Sequence, residues 1–85
     1  MNIQKIITGL TFSMLLVSKV AVSADFDKGL EAFQSGDFKT ALAEWTPLAE
    51  QGDASAQYNL GVMYYEGQGV LKNYKTAVKW FSLSG

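Results

Sequence analysis

Hydrophobic side chains recur at helical spacing in four stretches of the chain. The pattern is clearest in the third stretch, where Ala56, Leu60, Met63 and Tyr64 follow i, i+4, i+7 and i+8 and so share one helical face. In each of the other three stretches, apolar residues also recur at helical spacing along one face. The helices predicted in this way cover residues 26–34, 38–49, 54–66 and 74–81.

Glycine and short polar residues separate the four predicted helices. Gly67 follows the third helix, where a left-handed residue closes many helices and glycine adopts that conformation without strain. Side chains suited to cap the helices that follow stand at Asp37, Asp53 and Asn73. The sequence therefore predicts two helix pairs, each folded back on itself around an apolar seam.

Pro47 lies inside the second predicted helix. A proline there removes one backbone hydrogen bond and crowds the preceding turn, at a cost of about 3 kcal/mol. Since the apolar stripe continues through Leu48 and Ala49, we expect a kinked helix. The alternative is a helix that ends at Thr46.

The two helix pairs resemble each other in sequence. Residues 38–42 match residues 74–78 at an offset of 36, whereas Phe33 and Gly36 match Tyr64 and Gly67 at an offset of 31. The difference predicts a five-residue insertion, 68–72, in the second loop. This register places Gly29 where the second pair has Leu60, so the docking of the first helix is the least defined part of the prediction.

A glycine loop and a set of spaced apolar residues carry a family resemblance. The motif comprises Ala56, Leu60-Gly61, Tyr64, Gly67-x-Gly69-Val70, Tyr74-Lys75, Ala77 and Trp80-Phe81. It resembles the Sel1-like repeat, a relative of the tetratricopeptide repeat. The resemblance implies an all-α fold of antiparallel helix-turn-helix repeats, stacked as a short right-handed α-solenoid that binds proteins, and it implies no reaction. A short first repeat would cover about 25–52 and an incomplete second repeat about 53–85.

Composition narrows the possible chemistry. The chain has no cysteine and no histidine, which excludes disulfide scaffolds, thiol chemistry, zinc fingers and histidine-based triads. Its formal net charge of −1 gives no basic footprint for nucleic acid. The carboxylates fall on caps or outward helical positions and are best explained as a solvated face. We therefore expect no catalytic residue, no metal and no cofactor.

The first 24 residues have the pattern of a cleaved signal peptide. Lys5 precedes an apolar run over residues 6–17, and Val22-Ser23-Ala24 offers small or modest side chains before a cut at Asp25. The alternative is an uncleaved membrane anchor, but Lys19 ends the run short of the roughly 20 residues that span a bilayer. We expect residues 25–85 to be periplasmic or secreted, meeting the membrane only during export.

A partner-binding groove is predicted on one side of the third helix. Tyr58, Val62 and Tyr65 share a face that, in the related tetratricopeptide architecture, lines the concave groove. The matching face of the first helix presents Asp27, Glu31 and Gln34. The predicted partner-binding residues are Asp27, Glu31, Tyr58, Val62 and Tyr65, which suit a basic, partly apolar peptide. The alternative is that the tyrosines only pack against neighbouring helices.

Several functions stay open at this point. The resemblance favours an exported, non-catalytic adaptor with an unidentified protein or peptide partner. The chain stops about three residues short of the second repeat's equivalent of Gly52, which favours a truncated remnant, the N-terminal piece of a longer array, or self-association through the uncapped end. An exported enzyme of β-lactam-binding type is less favoured, because such relatives are rich in cysteine.

Overall fold

The computed structural model describes residues 24–85, so the predicted signal peptide lies, except for Ala24, outside the described residues. The described part forms helices α1 (Phe26–Gln34), α2 (Phe38–Glu50), α3 (Ala54–Glu66) and α4 (Tyr74–Ser84), with no strand among them. α1 packs on α2, α2 on α3, and α3 on α4. The predicted all-α fold of stacked helix pairs is confirmed.

Local side-chain chemistry explains where the helices begin and end. Each helix starts after an Asp or Asn whose side-chain oxygen accepts a hydrogen bond from the backbone N–H three residues later. These capping residues are Asp25, Asp37, Asp53 and Asn73. Gly67 closes α3 with φ +74°, as the sequence predicts, and the N–H of Gln68 reaches back 2.9 Å to the carbonyl of Met63.

α2 runs through Pro47 to Glu50, so the helix does not end at Thr46. Pro47 has no N–H to donate to the carbonyl four residues earlier. Its own carbonyl accepts from the N–H of Gln51 at 3.1 Å, which carries the helical bonding past the ring. The turn containing Pro47 is kept because Trp45 and Ala49, on either side of it, are both buried.

The core lies between α2 and α3 and combines small and large side chains. Its fully buried large side chains are Trp45, Leu60 and Met63, and small residues let the helices approach. These small residues are Ala41, Ala49 and Ala56. The buried amide of Gln57 donates 3.0 Å to the carbonyl of Ala49 and so ties α3 to the last turn of α2.

The two helix pairs use the same aromatic contacts in the same places. In each helix pair, one ring contact joins the first half of the first helix to the second half of the second helix. The other joins the end of the first helix to the start of the second, as expected for antiparallel helices. The matched ring pairs, with their centroid distances, are Phe26–Trp45 (5.5 Å) with Tyr58–Phe81 (5.6 Å), and Phe33–Phe38 (5.3 Å) with Tyr65–Tyr74 (5.1 Å).

These contacts shift the register between α1 and α3 by one residue from the sequence-based alignment. Structural equivalents in α1 and α3 are 32 residues apart, as in Phe26 and Tyr58, whereas those in α2 and α4 are 36 apart, as in Trp45 and Phe81. The second loop is therefore four residues longer than the first, where five were predicted. Gly29 matches Gly61, and the predicted match of Gly29 to Leu60 is wrong.

Close approach between the helices of each pair is the physical reason for this register. A Cβ on Gly29 would lie 2.6 Å from Nε1 of Trp45, and a Cβ on Gly61 would lie 2.5 Å from the ring of Phe81. Only glycine leaves room for those rings, so its position fixes how the helices slide together. Nε1 of Trp45 also donates 3.1 Å to the carbonyl of Phe26. The glycines after the helices fix only where each helix stops.

Candidate functional site

A cleft of about 220 Å³ opens between α1 and α3. Its lining is mostly apolar, and the lining residues with a polar side-chain group are Trp45, Tyr58 and Asn59. The lining residues are Leu30, Phe33, Trp45, Tyr58, Asn59 and Val62. The volume lies below the roughly 300 Å³ at which pockets for small molecules begin, and it suits one large apolar side chain of a polypeptide.

The register of α1 explains why the cleft is apolar on both sides. With Gly29 matched to Gly61, the face of α1 that corresponds to Tyr58 and Val62 carries Phe26 and Leu30. Leu30 is 38% exposed, which is enough to be reached from solvent. The face expected to be acidic is therefore apolar.

Asp27 and Glu31 lie beside the cleft instead of across it from the tyrosines. Both are exposed, and they line a separate shallow depression on α1 together with Leu30 and Gln34. Leu30 borders this depression and the cleft, so it joins the two surfaces. The acidic side chains thus form an edge to the apolar cleft.

The two carboxylates of the acidic edge are not paired with the neighbouring lysine. Nζ of Lys28 lies 3.6 Å from Oε2 of Glu44 on α2, and neither Asp27 nor Glu31 forms an ion pair within residues 24–85. Lys28 is 63% exposed, so its charge is partly screened by water. A cation approaching the edge meets two free carboxylates.

The three residues predicted on α3 occupy different surroundings. Tyr58 and Val62 line the cleft, Val62 half-buried and Tyr58 56% exposed. Tyr65 does not line it: its ring lies 5.1 Å from that of Tyr74, and it is 52% exposed. Tyr58 also contacts Phe81, so both tyrosines pack on α4 while keeping about half of their surface open.

Four cleft residues were not predicted from the sequence: Leu30, Phe33, Trp45 and Asn59. The match of Gly29 to Gly61 is the signal that identifies Leu30, because it makes Leu30 the equivalent of Val62. For Asn59 the sequence offers no such signal, because a single polar residue between apolar positions is common on a half-exposed helix.

Residues 24–85 contain neither a metal-binding cluster nor a membrane-spanning helix. No group of three acidic, histidine or cysteine side chains in this part of the chain could hold a metal ion. None of the helices α1–α4 is long and apolar enough to cross a bilayer.

Comparison with known proteins points to the second helix pair. The family model of the Sel1 repeat matches residues 54–85. A curated protein of Acanthamoeba polyphaga mimivirus, named as Sel1-like repeat-containing, is 53% identical over 36 residues, which are 42% of this chain and 6% of that protein. This chain therefore corresponds to a small part of the relative's length. No solved structure matches this chain.

The matched region coincides with helices α3 and α4 and the glycine loop between them. It contains Gly61 against the ring of Phe81 and the left-handed Gly67 and Gly69, the features that set the geometry of this pair. Residues 54–85, which form the α3–α4 pair, therefore match the Sel1 repeat, so the chain contains a Sel1-like repeat.

Proposed function

We propose that the chain is a non-catalytic scaffold that binds a segment of a partner protein in the cleft between α1 and α3. The Sel1 repeat is typically not an enzymatic module, and it suggests an interaction scaffold. The observation that carries the proposal is the cleft itself: a solvent-accessible apolar recess, bordered by aromatic rings, next to two free carboxylates.

The cleft and its edge together define the partner's chemistry. One large apolar side chain enters the recess, where it contacts Leu30, Phe33 and Val62. A neighbouring lysine or arginine of the partner meets Asp27 and Glu31. Tyr58 and Asn59 supply polar groups for the partner's backbone, and tyrosine is a frequent anchor because it combines area with a hydrogen bond. The partner segment is therefore basic and partly apolar.

The proposal includes export. Residues 1–24 act as a signal peptide, removed before Asp25, and residues 25–85 work in the periplasm or outside the cell. The support is the sequence pattern of Lys5, the apolar run over 6–17 and Val22-Ser23-Ala24. Intact mass measurement of the exported protein gives a first residue of Asp25; retention of Met1 contradicts export with cleavage.

Charge reversal at the edge tests the electrostatic part. The probe is a fluorescein-labelled eight-residue peptide with one phenylalanine between two lysines, followed by fluorescence anisotropy. Asp27→Lys with Glu31→Lys weakens its binding at least tenfold, because two attractive charges become repulsive. The control, Glu50→Lys with Glu66→Lys, makes the same change in net charge at exposed positions away from the cleft. Equal weakening by both pairs, or no saturable binding, contradicts the proposal.

An apolar-to-polar change tests the recess in the same assay. Leu30→Asn reduces probe binding at least fivefold, because a polar amide replaces the apolar side chain that lines the cleft. Leu71→Asn is the matched control, because Leu71 is 90% exposed in the α3–α4 loop and does not line the cleft. Far-UV circular dichroism verifies that both variants keep the helices. Equal binding by the two variants shows that the peptide binds elsewhere.

A second candidate is that the chain acts as one segment of a larger helical array, by continuing into a longer protein or by self-association. The supporting observation is the outer face of α4, where Tyr74 and Val78 are 56% and 60% exposed. Sedimentation velocity over a range of concentrations separates the candidates. A monomer that melts cooperatively supports the self-sufficient scaffold, and a mass or melting temperature that rises with concentration supports the array.

A further inference from the structure

The backbone nitrogen of Asp25 is bound by a side chain of α2. Its N–H donates 2.8 Å to Oε1 of Glu44. The Glu44 side chain is only 17% exposed, and its second oxygen, Oε2, lies 3.6 Å from Nζ of Lys28. Two groups from the start of α1 therefore hold one partly buried carboxylate in place.

We infer that Glu44 is the binding site for a new N-terminus at Asp25, so that removal of residues 1–24 adds an ion pair to the folded chain. The inference rests on the proposed cleavage before Asp25. Hydrolysis of the Ala24–Asp25 peptide bond places the oxygen of water on the carboxylate of Ala24. The nitrogen of Asp25 takes up protons and becomes an α-ammonium group. A neutral donor thus becomes a cation that already faces Glu44.

The charged groups around this nitrogen favour the cation. Glu44 faces it from α2, and the carboxylate of Asp25 itself lies close by, where it accepts from the N–H of Lys28 at 3.2 Å. The positive end of the α1 dipole and the ammonium of Lys28 oppose a cation at this position. Charge-assisted hydrogen bonds are stronger than neutral ones, so Glu44 decides the balance. The α-amino pKa then lies above its usual 7.7–8.0.

The position of the contact agrees with the sequence-based cleavage site. Oε1 of Glu44 accepts from the backbone N–H of Asp25 itself, and an N-terminus one residue earlier would place its charge a full peptide unit away. The small side chains that favour cleavage, Val22-Ser23-Ala24, stand immediately before this nitrogen. The cleavage motif and the contact with the Glu44 carboxylate therefore both point to the Ala24–Asp25 peptide bond.

The test uses the full chain, exported from a bacterial host, with its first residue established by intact mass. NMR titration of the processed protein yields an α-amino pKa at least one unit above the usual range. Glu44→Gln keeps the size of the side chain and removes its charge, and it lowers this pKa by at least one unit. Glu66→Gln is the control at an exposed position on α3 and leaves the pKa unchanged.

A second variant tests the geometry. One alanine inserted between Ala24 and Asp25, with cleavage before the inserted residue, moves the ammonium away from Glu44 and returns the pKa to its usual range. Equal pKa values in the processed wild type and Glu44→Gln overturn the inference and leave export untouched. A first residue other than Asp25 overturns the proposed processing site together with the inference. Circular dichroism shows whether each variant is folded.

The ion pair also predicts how stability depends on pH. Because the α-amino pKa is raised in the folded state, its contribution is complete below the unfolded pKa and is lost as pH rises through the folded pKa. The melting temperature of the processed wild type therefore exceeds that of Glu44→Gln at pH 7, and the difference shrinks towards pH 9.5. A difference that stays constant across this range contradicts the inference.

Discussion

At the scale of single residues, Gly29 and Gly61 determine how closely the two helices of each pair approach. Each lies against a ring of the opposite helix, Trp45 or Phe81, at a distance that leaves no room for a Cβ. Gly36 is a different case, since it has φ +86° and open space where a Cβ would lie. The first two glycines are needed for packing, and Gly36 is needed for its backbone conformation.

Substitution of Gly29 by alanine tests its role in packing against Trp45. Gly29→Ala places a methyl group against the indole of Trp45 and lowers the free energy of unfolding by about 1–3 kcal/mol, as expected for overpacking. Chemical denaturation measures the change. In the double variant with Trp45→Phe the smaller ring gives way, so the combined loss is less than the sum of the single losses. Additive losses contradict a direct contact.

Asp37 gives a pH-dependent contribution at the start of α2. Hydrogen bonds from the side chain and the backbone N–H of Thr40 hold the pKa of Asp37 below its ordinary value of 3.8. Because this pKa is lowered on folding, the contribution is present above the unfolded pKa and is lost as pH falls through the folded one.

The corresponding measurement compares thermal melting of the wild type and Asp37→Asn between pH 6 and pH 2. Asparagine keeps a capping oxygen without the titrating charge. The wild type is the more stable at pH 6, and the difference diminishes as the carboxylate becomes protonated. A difference that grows at low pH contradicts the assignment.

At the scale of helices, α2 and α4 are equivalent, yet their outer faces differ in what covers them. Gly69, in the loop after α3, lies against Phe38 and Leu42 of α2; a Cβ there would be 2.9 Å from that of Phe38. The corresponding residues of α4, Tyr74 and Val78, are exposed. One face therefore appears in a covered and an open form within the same chain.

Matched aspartate substitutions measure how much the contact with the Gly69 loop stabilises the outer face of α2. Leu42→Asp places a charge beneath the Gly69 loop and lowers the free energy of unfolding by at least about 2 kcal/mol, because the carboxylate loses water without gaining a partner. Val78→Asp, at the equivalent exposed position, changes it by no more than about 0.5 kcal/mol. Urea denaturation provides both values. Similar losses at the two sites show that the face of α4 is covered in solution.

At the scale of the whole molecule, the sequence predicts the helices better than it predicts their relative positions. Asp37, Asp53 and Asn73 act on the backbone within three residues, and such local signals locate the helix ends. The register between α1 and α3 depends on Gly29 meeting Trp45, residues that are far apart in sequence. A local comparison anchored on the glycines after the helices cannot find that contact.

The candidate site was therefore predicted only in part, because it depends on the register between α1 and α3. Tyr58 and Val62 were predicted from the helical face of α3, and both line the cleft. Leu30 was missed, because a shift of one residue turns a different side of α1 towards α3. The acidic residues Asp27 and Glu31 consequently form the edge of the site. Their role in binding a partner stays a prediction.

The most direct test of binding in the α1–α3 cleft is methyl NMR of the full chain during titration with the lysine–phenylalanine peptide. Leu30 and Val62 are on the cleft, whereas Val78 and Leu83, 60% and 57% exposed, lie on α4 and do not line it. Binding in the cleft predicts saturable shifts at Leu30 and Val62, with Val78 and Leu83 unchanged. Shifts confined to Val78 and Leu83 would contradict binding in the cleft, because the peptide would then bind α4.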